Sequence, residues 1–233
     1  MPPSLQAVLF DFDGTLAYYD PPHLALYVRA AAEYGMATTE AALRTTIDLG
    51  WERWRTPLGD DHRVGSKDEA SYLALRGNLH RARLEAVGLT GNLDAVAARI
   101  CELEADPVYF SLYEDTLSGL RRVKAAGLRV VIVSNHNWRL PEIVEGLGLA
   151  LGPHVDVVLT SARVGYRKPH PEIYRAAIEA AGCEADRALF VGDSVEADVA
   201  GPRRAGMRAV LLDRAGRGGD LEAVRSLLDV PLL

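Results

Sequence analysis

The sequence predicts an α/β protein in which a Rossmann-like core with a parallel β-sheet is interrupted by an α-helical insert. From about residue 116 to the end, short apolar runs alternate with helix-like segments, a pattern typical of βαβ units. These runs are almost continuously apolar, which indicates strands buried on both faces of the sheet. A similar run at residues 6–12 stands apart, because residues 22–106 show only helical periodicity. Residues 6–12 therefore predict the first strand of a core that the chain leaves and later re-enters.

The chain leaves the core directly after its first strand. We expect residues 1–16 and 116–233 to form the α/β core domain, and residues 17–115 to form the inserted helical domain. Ligands bind beside the carboxyl ends of the strands in open α/β sheets. Because the insert starts where the first strand ends, it should lie next to any ligand site of the core.

Four helices are predicted in the insert, and no strand. Pro21-Pro22 and Gly35 mark the two ends of the first helix, and Asn92 precedes the fourth. The second follows Thr38, a possible N-cap, and the third is the longest, with apolar residues at spacings of three and four. The predicted ranges are 22–35, 39–55, 67–87 and 93–105.

The core elements follow in regular alternation after the insert. Glycines end several of the helices, and the strands are rich in valine, isoleucine and leucine. The predicted helices are 116–126, 139–147, 171–181, 196–205 and 220–229, and the predicted strands are 129–133, 155–160, 187–191 and 208–212.

Composition excludes several classes of protein. The 233 residues are 48% hydrophobic and 25% charged, which is ordinary for a globular chain. The net charge of -6 argues against a general binder of nucleic acid or anionic membranes. Cys101 and Cys183 form no CxxC pattern, no run approaches the ~18 apolar residues of a membrane span, and no basic region precedes the first apolar run. We expect a cytoplasmic protein without nucleic-acid or membrane partners.

The most informative stretch is the first strand and the residues that end it. Asp11 and Asp13 are spaced by two, so they should emerge side by side at the end of this strand. Two carboxylates so close repel each other unless they share a proton or a cation, and carboxylate oxygens are the ligands that Mg²⁺ prefers. Gly14 lets the chain turn sharply and bring backbone N–H groups close to a ligand. The pattern predicts a magnesium site.

Three further polar points follow other strands or precede helices of the core. Ser134-Asn135 ends the strand at 129–133, where a hydroxyl and backbone N–H groups can hold phosphate oxygens. Lys168 precedes Pro169, which restricts the backbone and makes this lysine a fixed cation; Arg167 beside it is an alternative. Asp193 follows the strand at 187–191, and Asp198 lies in the next helix. Glu196, in the same helix, is the alternative to Asp198 for a second acidic role in the site.

These residues carry a resemblance to a known family. The chain resembles the haloacid dehalogenase-like hydrolase superfamily, whose four motifs correspond to Asp11-Phe12-Asp13-Gly14-Thr15, Ser134-Asn135, Lys168-Pro169 and Gly192-Asp193 with Asp198. The insert resembles the helical cap of the first subfamily. The sequence of residues 165–171 and 192–207 is most similar to the Reg-2-like branch of the superfamily. The resemblance implies a cap domain over a HAD-like core.

The resemblance also implies a function and a role for each residue. It implies a Mg²⁺-dependent phosphohydrolase acting on a small phosphorylated metabolite, with Asp11 as the nucleophile that forms an aspartyl-phosphate. Asp13 would be the general acid/base, and Ser134 and Lys168 would hold the phosphate. The remaining implied assignments are substrate binding by Asn135, Gly14 and Thr15, metal binding by Asp11, Asp193 and the backbone carbonyl of Asp13, and a supporting role for Asp198.

The charges agree with this interpretation. Without Mg²⁺ and Lys168, the cluster of carboxylates would repel a phosphate dianion, whereas with both cations the charge that develops in phosphoryl transfer is neutralised. A general acid must carry a proton near neutral pH. We therefore predict that the pKa of Asp13 is raised in the closed site.

Several alternatives remain open at this level. Carbon–halogen cleavage on the same fold needs no second carboxylate, so Asp13 argues against it. A phosphomutase uses the same residues, and a non-catalytic interaction module would not need them together. The substrate stays open, as does the choice between monomer and homodimer. Residues of the insert that could face the substrate are Tyr18, Tyr19, His23, Trp51, Arg53, Trp54, Arg55, Arg63 and Lys67, and none of them is assigned.

Overall fold

The computed structural model describes residues 3–46, 49, 55–56, 59–60, 63–216 and 223–232. In chain order the strands are β1 (Ala7–Phe10), β2 (Ala17–Tyr19), β3 (Arg55–Thr56), β4 (Gly59–Asp60), β5 (Phe110–Leu112), β6 (Arg129–Ser134), β7 (Val157–Thr160), β8 (Ala188–Gly192), β9 (Arg208–Leu212) and β10 (Ala223–Val224). The helices are α1 (His23–Glu33), α2 (Glu40–Arg44), α3 (Glu69–Ala86), α4 (Leu93–Glu104), α5 (Thr116–Ala125), α6 (Leu140–Gly146), α7 (Ser161–Val164), α8 (Pro171–Ala181) and α9 (Gly201–Arg204).

Six of these strands form one sheet in the order β10-β9-β8-β1-β6-β7, and every pair is parallel. β1 lies at the centre, where Phe10 pairs with Ile132 of β6 and with Val191 of β8. The chain builds one half of the sheet from β1 outward through β6 and β7, and then returns to build the other half. This reversal at β1 is the place where open α/β sheets bind ligands. The predicted fold class is confirmed.

Both faces of the sheet are buried, as the continuous apolar runs predict. Val8 and Phe10 point into one core layer, and Ala7 and Leu9 into the other. The alternation follows from the two-residue period of a strand. Burial on both faces fixes the register of β1, because a slip by one residue would exchange the two layers. The carboxyl end of β1 is therefore held in a defined place.

Between β2 and β5 the described residues are mainly helical. α3 packs against α4, and α1 packs against α4. N-cap side chains start two of these helices: Asp68 accepts a hydrogen bond from Ser71 N, and Asn92 accepts one from Ala95 N. β2 and β5 pair antiparallel, so the two connections to the sheet run side by side. We call the chain between them, residues 20–109, the inserted segment; its status as a separate domain of residues 17–115 stays a prediction.

Two predictions of secondary structure in the insert were wrong. The helix expected over 39–55 ends at Arg44, where the Thr45 and Thr46 hydroxyls donate to carbonyls three residues back and β-branching disfavours continuation. The insert is not free of strands, because β3 and β4 form an antiparallel pair. Most of residues 47–54 lie outside the described residues.

The end of the chain also differs from the prediction. Instead of a helix over 220–229, β10 pairs with the edge of β9, and Leu227–Asp229 forms a single 3-10 turn. Pairing with an open sheet edge outweighs the weak local helical preference. The helix predicted over 196–205 begins as a π-helical turn at Val195–Ala200 and becomes α-helical only at α9. In the described part of the chain, no helix has the length and apolar character needed to cross a bilayer.

Candidate active site

The predicted residues meet at the carboxyl ends of three neighbouring strands. β1 is followed by Asp11, β6 ends at Ser134, and β8 is followed by Asp193. Lys168 comes from the loop between α7 and α8. Asn135 fastens this loop to the end of β6, because its side chain donates to Lys168 O at 2.9 Å and accepts from Lys168 N at 2.7 Å. The site is thus assembled by the sheet order and by one asparagine that anchors a loop.

Lys168 lies between two carboxylates. Its Nζ donates to Asp11 Oδ1 at 2.8 Å and to Asp198 Oδ1 at 2.6 Å, and all three side chains are buried. Burial alone would lower the pKa of Lys168, but Asp11 and Asp198 raise it above the usual value of a lysine. Burial raises the pKa of Asp198 to about 6, against the opposing effect of Lys168. The ammonium group is therefore a fixed cation beside Asp11.

A third carboxylate, Asp193 at the end of β8, joins Asp11 and Asp198. Oxygen atoms of Asp11, Asp193 and Asp198 lie within 4.8 Å of one another. Loss of solvent contact and the charge of Asp11 raise the pKa of Asp193. Such mutual repulsion is what a bound divalent cation relieves, and the all-carboxylate donor set suits Mg²⁺. These residues fit the predicted metal.

Two glycines make this approach of carboxylates possible. A Cβ on Gly14, which has φ +80°, would lie 2.2 Å from Asp193 Oδ2. A Cβ on Gly192 would lie 2.4 Å from the carboxyl group of Asp198. Real side chains do not tolerate such distances. The glycines in the first and fourth motifs therefore keep space for the acidic cluster.

Asp198, and not Glu196, is the acidic residue of this helix turn that reaches the site. Its second oxygen accepts from Ser194 N at 3.0 Å, so both oxygens are engaged. Glu196 points outward and pairs with Arg204 at 2.6 Å. Full engagement of the Asp198 carboxyl by Lys168 and Ser194 suits a supporting role better than direct contact with a metal.

The Asp13 side chain lies beside His136, close enough to the acidic cluster to be influenced by the charges of Asp11 and Asp193. Loss of solvent contact raises its pKa well above the usual range, and the charge of Asp11 adds to this effect. The predicted direction of the pKa shift is confirmed. Asp13 Oδ2 lies 3.7 Å from Nε2 of His136, and Asp13 Oδ1 is buried without a hydrogen-bond partner among the described residues. A carboxyl group that holds its proton suits general acid chemistry.

The other predicted binding residues take different positions. Ser134 is buried at the end of β6. Thr15 is also buried, and its Oγ1 has no partner in the described part of the chain. Both amide atoms of Asn135 are engaged with the Lys168 backbone, so the structure gives Asn135 a positioning role rather than a free group for a substrate.

A polar network that the sequence did not predict lies in the inserted segment next to the site. Buried Glu104 accepts from Arg76 at 2.8 Å and contacts His23 Nε2 at 2.6 Å, and His80 Nε2 is 3.3 Å away. Burial would raise the pKa of Glu104, but Arg76 and His80 lower it well below its usual range. Asn137 ties this network to the sheet by donating to Glu104 O at 2.7 Å. The sequence gave no indication of this network, because each of its members is a single polar residue within a helical pattern.

The candidates from the insert are partly placed. Tyr19 and His23 pack with their ring centroids 4.8 Å apart and their planes tilted by 45°, and Tyr19 is influenced by the charge of Asp13. Tyr18 packs on Tyr113 at 4.9 Å. The Arg63 guanidinium lies 5.2 Å from the Tyr166 ring centroid, and Lys67 is exposed. Trp51, Arg53 and Trp54 lie outside the described residues, as does the side chain of Arg55.

The fold and the site define one class of enzyme. The profile of the haloacid dehalogenase-like hydrolases matches residues 5–206, from the first strand to the end of α9. The chain belongs to the haloacid dehalogenase-like hydrolases.

Individual relatives agree with this assignment. Phosphatase MT3486 of Mycobacterium tuberculosis is 32% identical over 97% of this chain and 98% of its own length. The phosphoserine phosphatase of Thermus thermophilus is 35% identical over 79% of this chain and 70% of its own length. The haloacid dehalogenase-like hydrolase domain-containing protein 3 of Mus musculus is 37% identical over 58% of this chain, so the match spans about half of that relative, 53% of its length.

Solved structures agree as well. A HAD phosphatase from Thermococcus onnurineus superposes with a TM-score of 0.62 at 26% identity, covering 96% of this chain and 95% of that one. These similarities confirm the predicted superfamily, and several of the relatives are phosphatases by name.

Proposed function

We propose that the protein is a Mg²⁺-dependent phosphatase that hydrolyses a small phosphorylated metabolite through an aspartyl-phosphate on Asp11. The observation that carries the proposal is the buried Asp11–Lys168–Asp198 arrangement beside Asp193. The proposed reaction needs a carboxylate next to a fixed cation and to a second carboxylate suited to a metal, and this arrangement supports it. The relatives named as phosphatases support the same reaction class.

The first half of the reaction follows from the positions of Asp11, Asp13 and Lys168. An Asp11 oxygen attacks phosphorus, the new O–P bond forms, and the bond from phosphorus to the leaving oxygen breaks. Asp13 gives its proton to that leaving oxygen. Lys168 neutralises charge on the phosphoryl oxygens, while Ser134 and the backbone around Gly14 bind them.

In the second half, Asp13 takes a proton from water as the water oxygen attacks phosphorus, which releases phosphate and restores Asp11. Asp11, Asp193 and the backbone carbonyl of Asp13 would hold Mg²⁺, with Asp198 orienting Lys168. When bound, Mg²⁺ supplies positive charge that stabilises the phosphoryl oxygens during transfer.

Asp13 also separates this proposal from its nearest alternative. Its raised pKa keeps a proton on a carboxyl group two residues from Asp11, where a leaving oxygen could take it up. Carbon–halogen cleavage releases halide and has no use for a proton donor at this place. A phosphomutase would return the phosphoryl group to the substrate, so release of inorganic phosphate distinguishes it from hydrolysis.

The test is phosphate release from an aryl phosphate with Mg²⁺, followed by a screen of phosphorylated metabolites. We expect activity that depends on Mg²⁺ and stops with excess EDTA. Activity undiminished by EDTA would contradict the role of the metal. A protein that releases no phosphate from any ester in the screen would contradict the proposed function.

A further inference from the structure

The proposed reaction leaves one buried polar side chain beside Asp13 unused. His136 follows the Ser134-Asn135 motif, and 6% of it is exposed. Its imidazole lies in a box of aromatic rings, with centroids of Phe12 at 5.6 Å, Phe110 at 5.5 Å and Tyr19 at 6.2 Å. A histidine rarely lies in such surroundings without a polar partner.

Neither ring nitrogen of His136 has a hydrogen-bond partner among the described residues. Asp13 faces the ring, with Oδ2 3.7 Å from His136 Nε2, and its Oδ1 is buried without a hydrogen-bond partner in the described part of the chain. The Asn137 side chain is also near the ring, but its amide is engaged with Glu104 O and Arg139 N. A buried polar group left unsatisfied costs about 1–3 kcal/mol. The distance of 3.7 Å between Asp13 and His136 is slightly longer than a hydrogen bond, so a small movement of either side chain would let the two groups form one. Hydrogen bonds at active sites are often long until the substrate binds.

The His136 ring is better fixed than the Asp13 carboxyl. The backbone carbonyl of His136 accepts from Thr160 Oγ1 at 2.6 Å, which ties it to the end of β7. Two of the surrounding aromatic residues, Tyr19 and Phe110, belong to the paired strands β2 and β5. Their ring centroids are 4.3 Å apart. The imidazole is thus enclosed on several sides, whereas the more exposed Asp13 side chain has more freedom to approach it.

We propose that His136 is a positioning residue for Asp13: a hydrogen bond from its imidazole orients the Asp13 carboxyl for proton transfer to the leaving oxygen. This inference rests on the proposed function. It assigns His136 no contact with the substrate or with a metal.

The test compares two phosphate esters that differ in their need for a proton. The alkoxide of glycerol 2-phosphate must be protonated as it leaves, whereas the p-nitrophenolate of p-nitrophenyl phosphate leaves without a proton at neutral pH. The ratio kcat/KM reports the steps up to formation of the phosphoenzyme. For His136→Phe, which fills the aromatic box without nitrogens, we expect kcat/KM to fall about tenfold or more for the alkyl ester and to stay within about threefold for the aryl ester.

Two further variants complete the design. His136→Gln keeps a nitrogen near the place of Nε2, and we expect it to recover most of the activity on the alkyl ester. His154→Phe, the same substitution in the loop after α6, is the matched control and should leave both esters unchanged. Thermal melting of each variant checks that it folds, and His136→Leu replaces His136→Phe with the same expectations should the latter not fold.

An equal loss on both esters would assign His136 to packing alone and overturn the inference, as would activity on both esters that is unchanged. In either case the wild-type enzyme still releases phosphate, so the proposed function stands. A wild-type enzyme that releases no phosphate from any ester of the metabolite screen, these two included, would overturn the proposed function and this inference with it.

Discussion

Lys168 is the residue on which the charge balance of the site depends. Its ammonium group neutralises two buried carboxylates, Asp11 and Asp198, at 2.8 Å and 2.6 Å. Removing one member of a buried ion pair leaves the others uncompensated, which is far more costly than losing a surface pair. The same lysine therefore contributes to the stability of the core and to the proposed binding of phosphate.

We predict that Lys168→Met lowers the free energy of unfolding by about 3 kcal/mol in the absence of Mg²⁺, because the Asp11 and Asp198 carboxylates then face each other. Added Mg²⁺ should restore part of the loss. Urea denaturation measures both effects, with Lys67→Met, at an exposed position, as the control. Equal stability of the Lys168 and Lys67 variants would show that Lys168 does not neutralise this pair.

A substitution at Gly14 tests whether the acidic cluster needs the space that the missing side chain leaves beside Asp193. Gly14 and Gly88 both have φ +80°, but a Cβ would meet Asp193 at 2.2 Å only at Gly14, and nothing within 4 Å at Gly88. We predict that each alanine variant loses about 1 kcal/mol of stability through backbone strain. Only Gly14→Ala should also weaken Mg²⁺ binding, by about tenfold, because it displaces a carboxylate ligand.

Isothermal titration with Mg²⁺ compares the two variants directly. Gly88→Ala controls for the strain of a side chain at positive φ. Unchanged Mg²⁺ affinity in Gly14→Ala would contradict a metal site that includes Asp193.

At the scale of elements, the buried network around Glu104 joins three helices of the inserted segment. His23 belongs to α1, Arg76 and His80 belong to α3, and Glu104 ends α4. Tyr27 of α1 extends it by a contact of 2.6 Å to His80 Nδ1. Because polar groups bury well only when satisfied together, this network specifies how the helices pack.

The network predicts a pH dependence of stability. Burial lowers the pKa of His80 to about 4, whereas an unfolded histidine has a pKa of about 6.5. The folded pKa is the lower one, so this contribution is complete above pH 6.5 and is lost as pH falls toward 4. Between pH 7.5 and pH 5, we predict that His80 accounts for a loss of about 2 kcal/mol of unfolding free energy.

Chemical denaturation of wild type and His80→Gln across this pH range measures the effect. The variant should show a smaller loss on acidification, whatever its stability at pH 7.5. His154→Gln is the matched control for removing a histidine. Identical pH profiles of wild type and His80→Gln would contradict a buried, neutral His80.

Elements of this protein differ in how far the sequence predicts them. The strands with continuous apolar runs were predicted within a few residues, because burial on both faces of a sheet leaves a local pattern. The end of the chain was not, since β10 exists only by pairing with β9. Asp115 also holds this segment by accepting from Ser226 Oγ at 2.7 Å and Leu227 N at 2.9 Å. The contacts of Asp115 join residues more than a hundred positions apart, and they leave no periodic pattern in the sequence.

The candidate site shows the same division. Three of its four motifs lie at strand ends, so their meeting follows from the order of strands in a parallel sheet. The engagement of Asn135 with Lys168, the isolation of His136 and the Glu104 network depend on how separate loops and helices pack. No single stretch of sequence contains these relations.

At the scale of the whole molecule, the two connections between the sheet and the inserted segment are adjacent. β2 and β5 form an antiparallel pair, and Asn137 and Arg139 contact the inserted segment through Glu104 and Glu69. A cavity of about 750 Å³ lies at this junction, lined by α3, α4 and residues 137–139.

We predict that the insert of residues 17–115 moves as a lid, with hinges near residues 16–20 and 111–116. An aspartyl-phosphate must be shielded from stray water and yet admit one water molecule for hydrolysis, which favours a closing cleft. Solution scattering with Mg²⁺ and a metallofluoride phosphate mimic should show compaction relative to the free enzyme. Asp11→Asn, which should not bind the mimic, is the control. An unchanged radius of gyration, with one orientation of the insert in both crystal structures, would contradict the lid.

The central claim is that Asp11 accepts the phosphoryl group. The most direct measurement is rapid acid quenching during the first turnover with Mg²⁺ and substrate, followed by borohydride reduction and peptide mass spectrometry. We predict a phosphorylated enzyme whose reduced residue is Asp11, no adduct with Asp11→Asn, and a fall in turnover of about 10³-fold or more in that variant, since an amide is a poor nucleophile. Asp186→Asn, in an exposed turn before β8, is the matched control. A phosphoryl group on another residue, or turnover of Asp11→Asn within about tenfold of wild type, would contradict the claim.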